Sequence, residues 1–242
     1  LSVLIKTIRT NTGSSRRARS KAFAPLACAA LALCFASCGG GAGQTNSKTF
    51  DDPETPANVK RGVKPEPDAQ AVVLEVESGG FSYGRIVIEL YPNVAPQMVG
   101  RFKQLVQERF YDGIAFHRVN PSTGVVQAGD PNSKDDDPSN DGIGGSTYGN
   151  VPAEFNDIPF DRGVVGAARA QDINSANSQF FITLRRVPQW DDNYTVFGRV
   201  IEGMDNAQTI AGAPTRPAPF NENPADKIII KSATLQPRAN FK

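Results

Sequence analysis

The sequence is poor in the side chains that most site chemistry needs. It has one histidine, and its three cysteines, Cys28, Cys34 and Cys38, all fall early in its 242 residues. That excludes a zinc site of His and Cys ligands, and a disulfide framework beyond Cys38. No sign of charge dominates: 26 Lys and Arg stand against 25 Asp and Glu. A nucleic-acid-binding domain usually shows a clear basic surplus, so that class is set aside. The apolar stretch Ala22–Ser37 is interrupted by Pro25 and falls short of the roughly 20 residues that span a bilayer. No internal repeat is found. What remains, 39% hydrophobic against 21% charged, suffices for one core and excludes wholesale disorder. The length suits one domain with extensions.

The charge balance hides a division. Lys6, Arg9, Arg16, Arg17, Arg19 and Lys21 precede residue 38 with no acidic partner, which leaves an acidic excess in 38–242. Basic residues followed by the apolar run AFAPLACAALALCFAS are the marks of an export signal over 1–37. Ser15-Arg16-Arg17 resembles a twin-arginine signal only faintly, because Arg19 and Ser20 stand where apolar residues are expected. Phe35-Ala36-Ser37-Cys38 resembles a bacterial lipobox, although Phe35 stands where Leu is usual. The expectation is lipidation at Cys38 and export to the bacterial cell envelope or periplasm, with the lipid anchor as the only membrane contact. A plain secretory signal or an uncleaved anchor stay open. Residues 38–70, rich in Gly, Pro, Asn and charge, read as a flexible tether.

From Ala71 the pattern changes. AVVLEVE (71–77) and GRIVIEL (84–90) alternate apolar and polar residues around Ser78-Gly79-Gly80, which predicts two strands and a turn. Val99, Phe102, Leu105 and Val106 recur at helical spacing within 95–108, with Asn93 as a candidate cap. Six further strand-like runs follow, at 114–119, 124–129, 163–168, 178–184, 195–201 and 226–235. A short helix near Met204–Ile210 precedes the last. Eight runs without a helix after each favour a mainly β fold, a closed eight-stranded antiparallel barrel capped by two α-helices. Side chains fill such a barrel, so a ligand must sit on its outer wall or under a loop. The domain is expected over 71–237, with 238–242 as a tail.

Four motifs then recur in one order: Phe116-His117-Arg118-Val119, Val125-Val126-Gln127-Ala128-Gly129-Asp130, Asn177-Ser178-Gln179-Phe180-Phe181-Ile182 and Tyr194-Thr195-Val196-Phe197-Gly198. Over roughly 71–237 the chain resembles cyclophilins, the cyclophilin-type peptidyl-prolyl cis–trans isomerases. Their reaction breaks no bond. Partial double-bond character gives an amide a rotation barrier of about 18–20 kcal/mol, and unaided X-Pro isomerisation takes tens of seconds or more. Catalysis asks for an apolar slot for the proline ring, donors that hold the flanking amide, and a cation that draws conjugation from the prolyl nitrogen. A guanidinium suits the last role. The resemblance implies no cofactor and no metal.

By resemblance, Arg118 is the catalytic cation, Gln127 positions substrate and Arg118, and Phe181 floors the proline pocket. Val125 is a neighbouring apolar wall where many relatives carry Met. Ala168 and Arg169 match a pair whose backbone faces substrate, and Gln179 borders the groove. Trp190 falls where Leu is common, and Tyr194 where animal members have His. The family's pocket Phe, five residues after its Arg, has no counterpart: Pro121-Ser122-Thr123-Gly124 stands there with one additional residue. Asn120 occupies a usually apolar position. The expectation is that Trp190 replaces part of the missing wall. His117 neighbours Arg118 on a strand, so alternation points it to the other face and gives it a structural role. The acidic stretch 130–145 lacks the Glu that a calcium-binding EF-hand loop would need at Tyr148, and reads as a solvated loop. The implied partners are proline-containing polypeptides and a cyclosporin-type ligand, bound by a monomer. A non-catalytic proline-peptide-binding module or chaperone on the same scaffold is the alternative.

Overall fold

The computed structural model describes residues 58–242. The proposed export signal, Cys38 and most of the tether lie outside the described residues. Eight strands form one antiparallel sheet: β1 (Gln70–Ser78), β2 (Phe81–Leu90), β3 (Arg118–Asn120), β4 (Val125–Ala128), β5 (Val164–Ala167), β6 (Phe180–Thr183), β7 (Val196–Glu202) and β8 (Ile229–Pro237). Helix α1 (Pro96–Gln107) follows β2, and α2 (Met204–Ala211) follows β7. The strand order is β3-β4-β6-β5-β7-β2-β1-β8.

The sheet curls strongly, but the expected closed barrel is corrected: no ladder joins β3 to β8. The reason is local. Only three residues of the expected strand 114–119 and its continuation enter a ladder, and the segment before them meets β8 at one isolated bridge, Ala115 to Ile229. The seam is spanned instead by single bonds. Phe116 N–H donates to Ile228 O at 2.9 Å, Ile230 N–H to Ile114 O at 2.8 Å, and Val119 N–H to Glu222 O at 2.7 Å. The loop between α2 and β8 thereby lies against β3.

Helix α1 has Pro96 in its first turn, where a missing N–H costs nothing. Asn93 does not cap it. The Glu154 carboxylate accepts from Gln97 N–H at 3.1 Å and Met98 N–H at 2.9 Å, satisfying donors the helix cannot. Met98, Val99, Phe102, Leu105 and Val106 make the buried face of α1. Phe102 is the hub of the core, with the rings of Tyr111, Phe180 and Phe197 centred 5.1–5.2 Å away. Tyr111 is fully buried and its hydroxyl donates to Ser178 O at 2.9 Å, so it carries no unpaired polar group inside.

Both boundaries of the folded unit extend past the expected ones. Residues 60–69, assigned above to the tether, are strapped to the domain. Lys60 forms a parallel bridge with Asn156, and its ammonium donates to Val94 O at 2.9 Å. Asn93 accepts from Glu66 N–H at 3.0 Å, and Lys103 pairs with Asp68 at 2.8 Å. At the other end, Arg238 pairs with Glu89 at 2.6 Å, and Phe241 is buried against Ala71, Val73 and Val87. Among the described residues no helix is long and apolar enough to cross a membrane.

Replacing Phe102 by Ala removes the ring on which three others pack. The expected cost is about 3–5 kcal/mol of unfolding free energy. Chemical denaturation of the variant against wild type checks it.

Candidate active site

The strand register assembles the site. In the antiparallel ladders Arg118 pairs with Gln127, Gln127 with Phe181, and Phe181 with Gly166. These four positions form one row across β3, β4, β6 and β5. The next row is Val119, Val126, Ile182 and Val165, and all four are core residues. Because side chains alternate along a strand, a buried second row turns the first toward the outer face. His117 and Arg118 accordingly part company.

The apolar end of the row is an aromatic cluster separate from the main core. Phe181, Phe160 and Val125 are buried there, with Trp190, Tyr194 and Ala168 packed against them. The Trp190 ring lies 4.9 Å from Phe181 at 66°, and Tyr194 lies 5.6 Å from Phe181 at 89°. Such edge-on contacts suit the ring quadrupoles. The Pro121–Gly124 turn brings no aromatic side chain here. It closes through Gly124 N–H to Asn120 O at 2.8 Å, with Gly124 at a positive φ of 79°. Phe181 is only 4% exposed, so the ring lies mostly beneath its neighbours.

The polar end is a relay of amides. Gln127 Nε2 donates to Gln179 Oε1 at 2.9 Å, and Gln179 Nε2 donates to Gly144 O at 2.8 Å. Gln127 Oε1 takes no protein partner among the described residues and faces open space. A cleft of about 300 Å³ lies here, bordered by Gln127, Gln179, Gly144, Ala168 and Arg169. The Arg169 side chain is held by its own neighbours. Its guanidinium sits 4.6 Å over the Tyr194 ring and donates to Asn193 O at 3.0 Å, fixing that wall. Ala168 N–H is consumed by Gln179 O at 2.9 Å.

Arg118 is half-exposed and pairs with Glu222 from the loop before β8, Nε to Oε2 at 2.5 Å. His117 is buried, and neither of its nitrogens has a partner among the described residues. Burial pushes its pKa down to about 4; the Arg118 charge adds a little, and Asp130 opposes both. It is neutral at pH 7. In the acidic loop, buried Asp130 accepts from Asn132 N–H at 2.8 Å and Gly144 N–H at 3.1 Å, which holds the cleft's rim. Asp136 pairs with Lys227 at 2.9 Å. These acids serve turns and ion pairs.

Three contributors escaped the sequence reading: Gly166, Phe160 and Glu222. A Cβ on Gly166 would lie 2.3 Å from the Phe181 ring and 2.8 Å from Phe160, so the pocket floor needs glycine beneath it. Within a run of small residues that glycine gave no signal.

The family model for cyclophilin type peptidyl-prolyl cis-trans isomerase/CLD matches residues 72–235, most of the chain. The chain belongs to the cyclophilin-type isomerases. A probable peptidyl-prolyl cis-trans isomerase of Brucella suis is 45% identical over 157 residues, covering 63% of this chain and 78% of the relative. Peptidyl-prolyl cis-trans isomerase ppi1 of Schizosaccharomyces pombe is 42% identical over 130 residues, covering 51% of this chain and 76% of the relative. The crystal structure of a Cryptosporidium parvum cyclophilin type isomerase superimposes with TM-score 0.60 at 29% identity, over 69% of this chain and 97% of that one. A structure of the same protein in the presence of the dipeptide Ala-Pro gives 0.59 at the same identity, over 69% and 98%. The mainly β cyclophilin fold with two helices is therefore established for this member, and with it the enzyme class.

A Gly166→Ala substitution should overpack the floor, costing about 1–3 kcal/mol of stability and displacing Phe181 with Trp190. In wild type, a proline peptide should quench or shift the emission of Trp190, the only tryptophan. In the variant that response should be lost. A wild-type spectrum unchanged at saturation places binding elsewhere.

Proposed function

We propose that this cyclophilin accelerates X-Pro isomerisation in exported polypeptides, with Arg118, Gln127 and Phe181 as its central residues. The observation that carries the reading is their shared row on one outward face, a cation and an amide beside an aromatic floor. The proline ring rests against Phe181, Val125, Trp190 and Tyr194. Gln127 Oε1 and the backbone around Ala168 and Arg169 hold the flanking amide, with Gln179 keeping the Gln127 amide in plane. As the bond twists, its nitrogen gains a lone pair, and the Arg118 N–H groups stabilise that form over either planar isomer. Binding the twisted amide best is the whole of the catalysis. No proton moves, so buried neutral His117 has no chemical duty. A cyclosporin-type ligand would meet the same wall, altered by Trp190 and Tyr194.

One observation favours the binding-module reading. Phe181 is almost covered, so the proline slot is shallow. Magnetisation-exchange NMR of a short X-Pro peptide separates the two. Wild type should accelerate exchange, and Arg118→Ala should lower the catalysed rate about 10²-fold, the scale of losing one electrostatic donor. Peptide line-broadening without accelerated exchange in either protein would leave a binder only.

The same proposal places the chain in the bacterial envelope as a monomer, held to a membrane by lipid on Cys38. The basic and apolar pattern of 1–37 and the lipobox-like Phe35–Cys38 support it. In an expressing bacterium, Cys38→Ser should move the protein from the membrane fraction to the soluble one. Wild type found soluble, with no acyl mass on Cys38, overturns this part.

A further inference from the structure

Three consecutive residues of β3 converge on one residue of the loop before β8. The Arg118 guanidinium donates through Nε to Glu222 Oε2 at 2.5 Å, Val119 N–H donates to Glu222 O at 2.7 Å, and Asn120 Nδ2 donates to Glu222 Oε1. Both carboxylate oxygens and the main-chain carbonyl of Glu222 are thus engaged by a single short strand. Asn120, at the position that is apolar in most of the family, thereby gains a reason. Its Oδ1 also accepts from Ser122 Oγ at 2.6 Å and Thr123 N–H at 2.9 Å, so its amide is itself fixed by the turn.

The loop carrying Glu222 is braced on its other side. Asn223 N–H donates to Phe220 O at 2.9 Å, Arg216 N–H to Asn223 O at 2.9 Å, and Asn223 Nδ2 to Asp141 Oδ2 at 3.0 Å. Burial raises the Glu222 carboxyl, but the hydrogen bonds from Arg118 and Asn120, with the Arg118 charge, outweigh it and hold the group below the usual carboxylate range. The carboxylate is ionised at neutral pH.

We propose that Glu222 is the positioning residue for Arg118, paired with Asn120 as a unit that sets the guanidinium plane before substrate arrives. This rests on the role given to Arg118 above. A free Arg side chain carries about 2 kcal/mol of rotamer entropy, lost again at each binding event unless its geometry is set in advance. Engaging Nε alone fixes the plane and leaves the four Nη–H donors without a protein partner among the described residues. Glu222 itself does not touch substrate. It is the orienter behind the charge, as an acceptor beside a working cation should be.

The test compares the chain with its Glu222→Gln variant, which keeps side-chain shape and the main-chain bond. Catalysed prolyl exchange should fall about tenfold, equal to ~1.4 kcal/mol in the barrier, while peptide affinity stays within about twofold. An unchanged rate, or rate and affinity falling by one common factor, overturns the assignment. A second readout needs no variant. The Arg118 Nε–H resonance of wild type should exchange slowly with water at neutral pH, and an exchange rate like that of surface arginines overturns the ion pair. Wild type that fails to accelerate exchange at all overturns the reading of Arg118, and the wild-type arm alone reveals that result.

Discussion

The pairing register of β3, β4, β6 and β5 is the constraint on which the site depends. It sets Arg118, Gln127, Phe181 and Gly166 side by side, and the neighbouring row of valines and isoleucine holds them outward by filling the core. No loop has to find a conformation for these residues to meet. The strands are short, three or four residues each, so the core row does most of the work of fixing register. A site built this way inherits the rigidity of the core without being part of it. The two apolar clusters lie on opposite faces of the same strands, one around Phe102 and one around Phe181. The first answers for stability, and the proposed proline slot rests on the second.

Electrostatics at the row's polar end are arranged for direction more than for strength. A lone guanidinium at the surface would be solvated and mobile. Beside Glu222 it gives up part of its field, and its remaining donors are held in one plane. The Gln127–Gln179–Gly144 relay does the same for an amide, spending donors on protein so that one acceptor keeps a fixed aim. Charge and amide are each backed by a group that is itself held by further bonds, Glu222 by Asn120 and Val119, Gln179 by Gly144.

How much of this could be read in the sequence follows from distance along the chain. Strands with alternating residues, such as Ala71–Glu77 and Gly84–Leu90, announced themselves, as did the Phe102 face of α1. Arg118, Gln127 and Phe181 were legible because family motifs surround them. The open seam was not, because whether β3 meets β8 depends on segments more than a hundred residues apart. Nor was the cap of α1. A local rule pointed to Asn93, but Glu154 supplies the carboxylate from far along the chain while Asn93 holds the strap. The strap itself hid in a composition typical of tethers, since ion pairs and main-chain bonds leave no periodicity. Glu222 was silent for the same reason, in a loop of prolines and asparagines with no pattern. The fold lay in local alternation, and what escaped was the set of long-range polar bonds.

The turn between β3 and β4 holds a consequence for how such a chain can diverge. Its Pro121–Gly124 stretch is one residue longer than the family pattern, yet Arg118 still faces Gln127, because the loop absorbs the surplus beyond the last ladder pair, Asn120 to Val125. An insertion inside β4 would have no such outlet. It would rotate Gln127 inward and present Val126 or Ala128 in its place. Length is therefore free to drift at the turn and frozen a few residues away. Lineages of this fold should accept gains and losses of residues in this turn more readily than within the strands that carry the row.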